Sequence, residues 1–202
     1  MKFVDISHDT KNQYVLAQNE ERVFFLWNRS GELVFELKGK RAKAHIFAFF
    51  SLNHEEKRLL HITQHHQAPE TTSTVTVKSA LDNQAECSYE GIVRIDSSAL
   101  LADASQESRT LLLSPHTKAM SKPTLEILQN DVRCHHAATV SPVNQEALFF
   151  SESRGLSKSQ AEKLLVQGFF KSTLEKMSTL ISSQEQEKML ALVGKYFASP
   201  SL

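Results

Sequence analysis

Short apolar runs rich in β-branched and aromatic residues, separated by polar turns, fill the chain from Phe3 to about Leu128. Tyr14-Val15-Leu16, Val23-Phe24-Phe25-Leu26-Trp27 and Leu33-Val34-Phe35-Glu36-Leu37 have the composition of strands, and Asn28-Arg29-Ser30-Gly31 reads as a hairpin-like turn between the last two. Further runs follow at Ala44 to Leu52, Arg58 to Thr63, Ser73 to Val77, Ile92 to Ile95, Thr110 to Leu113 and Leu125 to Leu128. The last four recur at near-even spacing, with no helical pattern between them. A doubly wound α/β fold needs crossover helices, and a tight-hairpin sandwich needs closer spacing. Stacked coils of a β-solenoid fit best.

After the strands the period changes. Ser157-Lys158-Ser159-Gln160 is a capping-box pattern, and Ala161, Leu164, Leu165, Phe169, Leu174, Met177, Leu180 and Ile181 continue at helical steps. Ser183-Gln184-Glu185-Gln186 opens a second helix whose stripe is Met189, Leu190, Val193, Tyr196 and Phe197, and Ser199-Pro200 stops it. Both helices need something to cover their apolar faces: each other, the end of the solenoid, or a partner. The expected organisation is a mainly β solenoid core over 1–140 and a small helical domain over 141–202.

Length allows an ample core, since the chain has 202 residues. Its 23 basic and 23 acidic residues cancel, which removes any electrostatic drive toward nucleic acid or anionic lipid. An acid at Asp5 interrupts any secretory apolar region, and the run from Ile46 to Phe50 is far too short to span a bilayer, so a cytoplasmic location is expected. Two cysteines, Cys87 and Cys134, do not make a disulfide framework. No phosphate loop, nucleophile elbow, His-Glu-x-x-His or dinucleotide fingerprint occurs, and the chain has only six glycines.

Candidate chemistry gathers where strands give way to helices, from Asp131 to Gly155. Successive side chains on a strand point to opposite faces, so Cys134 and His136 share a face and His135 looks the other way. Thiolate and imidazole together suit a soft metal or an iron–sulfur precursor. The plain alternative makes Cys134 a small buried apolar residue and His136 a surface histidine. His61, His65 and His66 lie in a strand-like stretch that breaks helical ligand spacing, and read as turn or surface histidines. The Lys38 to Lys43 cluster lacks interleaved aromatics and reads as a solvated turn. Cys87, between Glu86 and Ser88, reads as inert.

The same stretch carries a family resemblance. Val132-Arg133-Cys134-His135-His136-Ala137-Ala138-Thr139-Val140, followed by Leu148-Phe149-Phe150-Ser151-Glu152-Ser153-Arg154-Gly155, resembles the junction of the SufB/SufD iron–sulfur cluster assembly scaffolds. Ala137 and Ser151 depart from the family's usual Gly and Leu. The Ala-Thr-Val continuation, with no glutamate directly after His136, is more like SufD than SufB. Leu37-Lys38-Gly39, His66 to Ser73, Tyr89 to Val93, and Leu111 to Ser114 with Pro123 to Ile127 extend the likeness over roughly Leu33 to Phe197.

The resemblance implies a right-handed parallel β-helix and a non-enzymatic scaffold in a SufBCD complex. It pairs with SufB, or with a second copy when isolated, through Leu125 to Val140, and binds the SufC ATPase through the tail. Arg154, Gly155, Phe169 and Phe170 are the candidate SufC contacts. Cys134 and His136 are the cluster-assembly candidates, with no tightly bound cofactor expected beyond transient iron or an iron–sulfur precursor. Relatives usually begin with a helical domain, whose role is not carried over here. The competing reading is a metal-dependent enzyme on a β-solenoid, using Cys134, His136 and a third ligand to activate water.

Overall fold

The computed structural model describes residues 1–197, side chains at 192 and 194–197 excepted. Its strands are β1 (Lys2–Asp5), β2 (Gln13–Leu16), β3 (Glu21–Trp27), β4 (Gly31–Leu37), β5 (Lys43–Leu52), β6 (Lys57–His66), β7 (Thr72–Leu81), β8 (Glu86–Ile95), β9 (Asp103–Leu112), β10 (Lys118–Ile127) and β11 (Arg133–Pro142). Odd-numbered strands form a six-stranded sheet in the order β1-β3-β5-β7-β9-β11, and even-numbered strands a five-stranded sheet in the order β10-β8-β6-β4-β2. The ladders are parallel, and the chain passes from one sheet to the other at every turn. This is a parallel β-solenoid followed by three helices, α1 (Gln145–Ser153), α2 (Lys158–Ser178) and α3 (Ser183–Phe197).

The expected hairpin at Asn28 to Gly31 is overturned, because β3 pairs with β5 and β4 with β6. That turn is a solenoid corner. With few glycines, other corners use ordinary residues in the left-handed region: Asn19 (φ 57°), Arg41 (61°), Glu70 (60°) and Leu101 (59°) stack in one column. Each donates its N–H to the next coil, Arg41 to Pro69 O (3.1 Å), Glu70 to Leu100 O and Leu101 to Asp131 O (both 2.8 Å). Lys40 and Arg41 bracket Glu70 at 2.8 Å each, so the basic cluster is a solvated, ion-paired turn.

One side of β3 faces the solenoid interior and the other faces the helices. Phe24 and Leu26 join Tyr14, Phe35, Leu37, Ile46, Ala48 and Phe50 inside, while Val23, Phe25 and Trp27 share an outer cluster with Phe47, Phe49, Val166, Phe170, Met177 and Met189. A parallel strand buried on both faces reads as an unbroken apolar run, which is why Val23 to Trp27 shows no alternation. The tail therefore lies along the flank of the odd-numbered sheet and not over the end. The buried face of α2 is Ala161, Val166, Phe170, Thr173 and Met177, rotated from the expected stripe so that Leu164 is exposed. The capping box is present: Ser157 Oγ accepts from Gln160 N (3.3 Å) and Gln160 Oε1 from Ser157 N (2.8 Å). The stripe positions Tyr196 and Phe197 and the stop at Ser199-Pro200 fall outside the described side chains and residues. No helix among the described residues is long and apolar enough to cross a membrane.

Candidate functional site

The last coil is uncovered. Leu125 and Ile127 on β10 sit in register over Val93 and Ile95, both 0% exposed, yet are themselves 37% and 39% exposed. Val140 on β11 sits over Thr110, which is 6% exposed, and is 44% exposed. The inward column thus continues past the point where the chain covers it, and β10 and β11 each offer one strand edge with no partner strand among the described residues.

Cys134 and His136 belong to that column. The β11 ladder is unbroken, pairing Cys134 with Ala104, His135 with Ser105 and His136 with Gln106. Ala104 and Gln106 are each 1% exposed, so Cys134 and His136 lie on the inward face and His135 on the outward one. Cys134 is half-buried against the cluster of Val93, Ile95, Ala99, Ala102 and Ala104. Burial, and then the carboxylate of Asp103, push its thiol pKa up. A cation arriving at the open end would be needed to draw the proton off.

No group of three or more His, Cys, Asp or Glu among the described residues is arranged to hold a metal ion. A catalytic zinc needs three protein ligands, so the metal-enzyme reading is not favoured.

The Leu-Phe-Phe to Arg-Gly motif forms α1 and its stop. Asn144 Oδ1 accepts from Glu146 N (2.9 Å) and Ala147 N (3.1 Å) at the start of the helix. At its end Gly155, φ +92°, donates to Glu152 O (2.9 Å), while the Arg154 guanidinium lies 4.8 Å from the Phe150 ring centroid. Of the candidate SufC contacts, Arg154 and Gly155 therefore terminate α1. Phe169 is half-buried, 4.1 Å below Lys78 Nζ. Phe170 is 0% exposed, with ring centroids of Phe49 and Trp27 at 5.8 and 5.9 Å, so its side chain belongs to the seam under α2. The tail's exposed apolar surface is instead Phe149 (73%), Phe150 (58%), Leu164 (52%) and Leu190 (62%). Beside it a groove of about 320 Å³ is lined by Leu111, Val143, Leu164, Leu165 and Phe169. The motif pointed to α1, but only burial distinguishes its exposed rings from Phe170.

The remaining histidines divide. His61 and His65 face outward on β6 and pair with Glu90 (3.2 Å) and Asp96 (3.0 Å). His66 corrects the surface reading: it is fully buried, with Nδ1 2.8 Å from Thr71 Oγ1 and Nε2 2.7 Å from Ser73 Oγ, and burial lowers its pKa to about 4. Cys87 is buried 3.7 Å from Ser79 Oγ, and burial pushes its pKa up to about 11.

Residues 28–169 match the family model described as SUF system FeS cluster assembly, SufBD core domain. Over 104 residues the chain is 36% identical to iron–sulfur cluster assembly SufBD family proteins of Staphylococcus haemolyticus, Staphylococcus epidermidis and Staphylococcus aureus. Each match takes in 52% of this chain and 22% of the relative.

Proposed function

Since the chain belongs to the SufBD core family of the SUF iron–sulfur cluster assembly system, we propose that it is a SufD-like, non-enzymatic scaffold subunit. In this reading the open coil pairs with SufB and the helical tail docks the SufC ATPase. The observation that carries it is the uncovered last coil, where Leu125, Ile127 and Val140 stay exposed beside two free strand edges, with Cys134 and His136 between them. A second solenoid end would pair the edges, cover the apolar column and enclose the thiol and imidazole in one step. Iron or a nascent cluster is the cargo. His136 supplies a neutral nitrogen ligand, and Cys134 becomes a thiolate ligand as the incoming cation offsets Asp103 and the desolvation. Phe149, Phe150 and Leu164 supply the apolar surface for SufC.

Co-expression with SufB and SufC, with affinity capture of this chain, tests the reading. The expected result is a three-protein complex that loses SufB on Leu125→Asp with Val140→Lys, and loses SufC on Phe149→Asp with Leu164→Asp, two exposed positions whose change leaves the seam under α2 intact. Failure of the unaltered chain to retain either protein would overturn it. In complementation of a SufD-deficient strain under iron limitation, His136→Ala should abolish growth, Cys134→Ser should weaken it, and His135→Ala should leave it unchanged.

A further inference from the structure

Gly168 stands midway along α2, a helix of 21 residues, where a glycine is weaker than alanine because its backbone loses more freedom on folding. Nothing in the fold asks for it. A Cβ built at Gly168 would meet no atom within 4 Å, and the backbone there is helical, so neither a close neighbour nor a left-handed turn accounts for the missing side chain. Gly39 and Gly91 differ, since a Cβ at either would run into the chain's own atoms. In the isolated chain Gly168 brings a loss and no gain.

Its surroundings show what it leaves room for. Gly168 is exposed and lines the groove of about 320 Å³, with Leu164, Leu165 and Phe169 beside it on α2 and Leu111 and Val143 from the solenoid. A helix bare of side chain where it borders an apolar groove lets a second backbone approach its axis closely. The charge of α2 gives the sign of what approaches. The helix carries four lysines against two glutamates, and those two are taken up by Lys158 (3.8 Å) and Lys171 (3.9 Å). Lys163 and Lys176 keep no carboxylate partner among the described residues, in a chain whose charges otherwise cancel. We propose that this groove seats an acidic amphipathic helix of a partner protein. It crosses α2 at Gly168, lays an apolar side chain on Leu164, Leu165 and Phe169, and turns its carboxylates toward Lys163 and Lys171. The exposed Lys171 pair is too weak to prevent that exchange. The inference rests on the reading of the tail as the SufC dock and deepens it, by fixing the point of contact and the chemistry that meets it.

The test measures SufC binding to the full chain by calorimetry, together with the chain's thermal midpoint, for the unaltered protein, Gly168→Ala and Gly168→Leu. Both variants should keep or raise the midpoint, because the added carbons meet open space and favour the helix. SufC should bind Gly168→Ala about tenfold more weakly, and Gly168→Leu more weakly still, because the added side chain holds the two backbones apart. Lys163→Gln with Lys171→Gln should weaken binding about threefold and flatten its dependence on salt. Undiminished binding by Gly168→Leu would overturn the crossing, and undiminished binding by the lysine pair would overturn the acidic partner. Self-association that Gly168→Leu abolishes, with SufC binding unchanged, would put a second copy in the groove and overturn the proposal as well. The two readings fail separately: an unaltered chain that does not bind SufC rejects both, whereas tight binding that survives Gly168→Leu rejects only the seat at Gly168.

Discussion

Replacing Phe170 by alanine should damage the fold, whereas replacing Phe149 should damage only association. Phe170 is 0% exposed and wedged among Trp27, Phe49 and Phe169, with ring centroids 5.9, 5.8 and 5.4 Å away. A buried phenylalanine hides roughly 150–250 Å², worth about 4–6 kcal/mol at about 25 cal/mol per Å² as an upper bound. Truncation at a site that partly collapses costs about 3–5 kcal/mol. Phe149, 73% exposed on α1, should change stability by no more than about 0.5 kcal/mol. Urea unfolding followed by the fluorescence of Trp27, the chain's only tryptophan, reads the seam directly. Phe170→Ala should shift the midpoint strongly, and Phe149→Ala should leave it in place while weakening SufC capture. A loss below about 1 kcal/mol for Phe170→Ala would mean that α2 does not rest on the odd-numbered sheet, and the seam described above would be wrong.

Three further outcomes follow from the interior. His66 stays neutral in the fold down to about pH 4, whereas its unfolded counterpart takes up a proton near 6.5; the unfolded state thus binds more protons between those values, so stability falls by about 3 kcal/mol as pH drops from 7 to 4, and His66→Gln should flatten that slope in urea midpoints measured across pH. Native alkylation should modify Cys134 while sparing Cys87, whose thiol is buried with a pKa of about 11, and Asp103→Asn should speed the Cys134 reaction roughly twofold to fivefold by removing a charge that opposes the thiolate; equal labelling of both thiols would contradict the burial. Gly91→Ala should cost about 1–3 kcal/mol in calorimetry, because the added methyl collides with Gln106 and Tyr89; a neutral substitution would refute the crossing of Gln106 to β8.

The early strands were legible because their interior is apolar, with Phe24, Phe35, Ile46 and Phe50 announcing them. Their winding was not: a hairpin was expected at Asn28 to Gly31, the solenoid was read from the spacing of the later strands, and its parallel sense came from the family resemblance. The later strands were seen only in fragments. Ser73 to Val77 is in fact Thr72–Leu81, and Thr110 to Leu113 is Asp103–Leu112, because Ser73, Ser79, Ala104, Gln106, Ser108 and Thr110 fill inward positions where an apolar signal was sought. The near-even spacing was the half-coil: two strands are laid down per turn, one on each sheet. Alternation along a single strand was enough to put Cys134 with His136 and His135 opposite. It could not reveal Asp103, which reaches Cys134 from the coil below, nor Gln106, which shares a ladder with His136 across 30 positions of chain. His66 was misread for the same reason: its partners Thr71 and Ser73 lie beyond a corner that the sequence does not announce.

The two ends of the solenoid are finished differently, and that difference gives the molecule a direction. At the first coil Arg29 is buried, its Nη1 donating to Ile6 O (2.6 Å) and Tyr14 Oη (3.1 Å) and its Nη2 to Lys11 O (2.6 Å), while Tyr14 stacks on Phe35 at 5.2 Å. Interior carbonyls there are satisfied and the apolar column is sealed by the chain's own rings. At the last coil the column runs out unsealed through Leu125, Ile127 and Val140. The helices leave this gap open, since α2 and α3 are committed to Val23, Phe25, Trp27, Phe47 and Phe49 on the flank. Yet α1 begins close behind β11, and Val143, Leu148 and Ala161 share a buried cluster packed against Leu111 and Leu113. A partner held on Phe149 and Phe150 is thus joined to the terminal strand through α1 and that cluster, a far shorter path than the one through the solenoid core. In the scaffold reading, a movement of SufC would be felt first at the coil that carries Cys134 and His136.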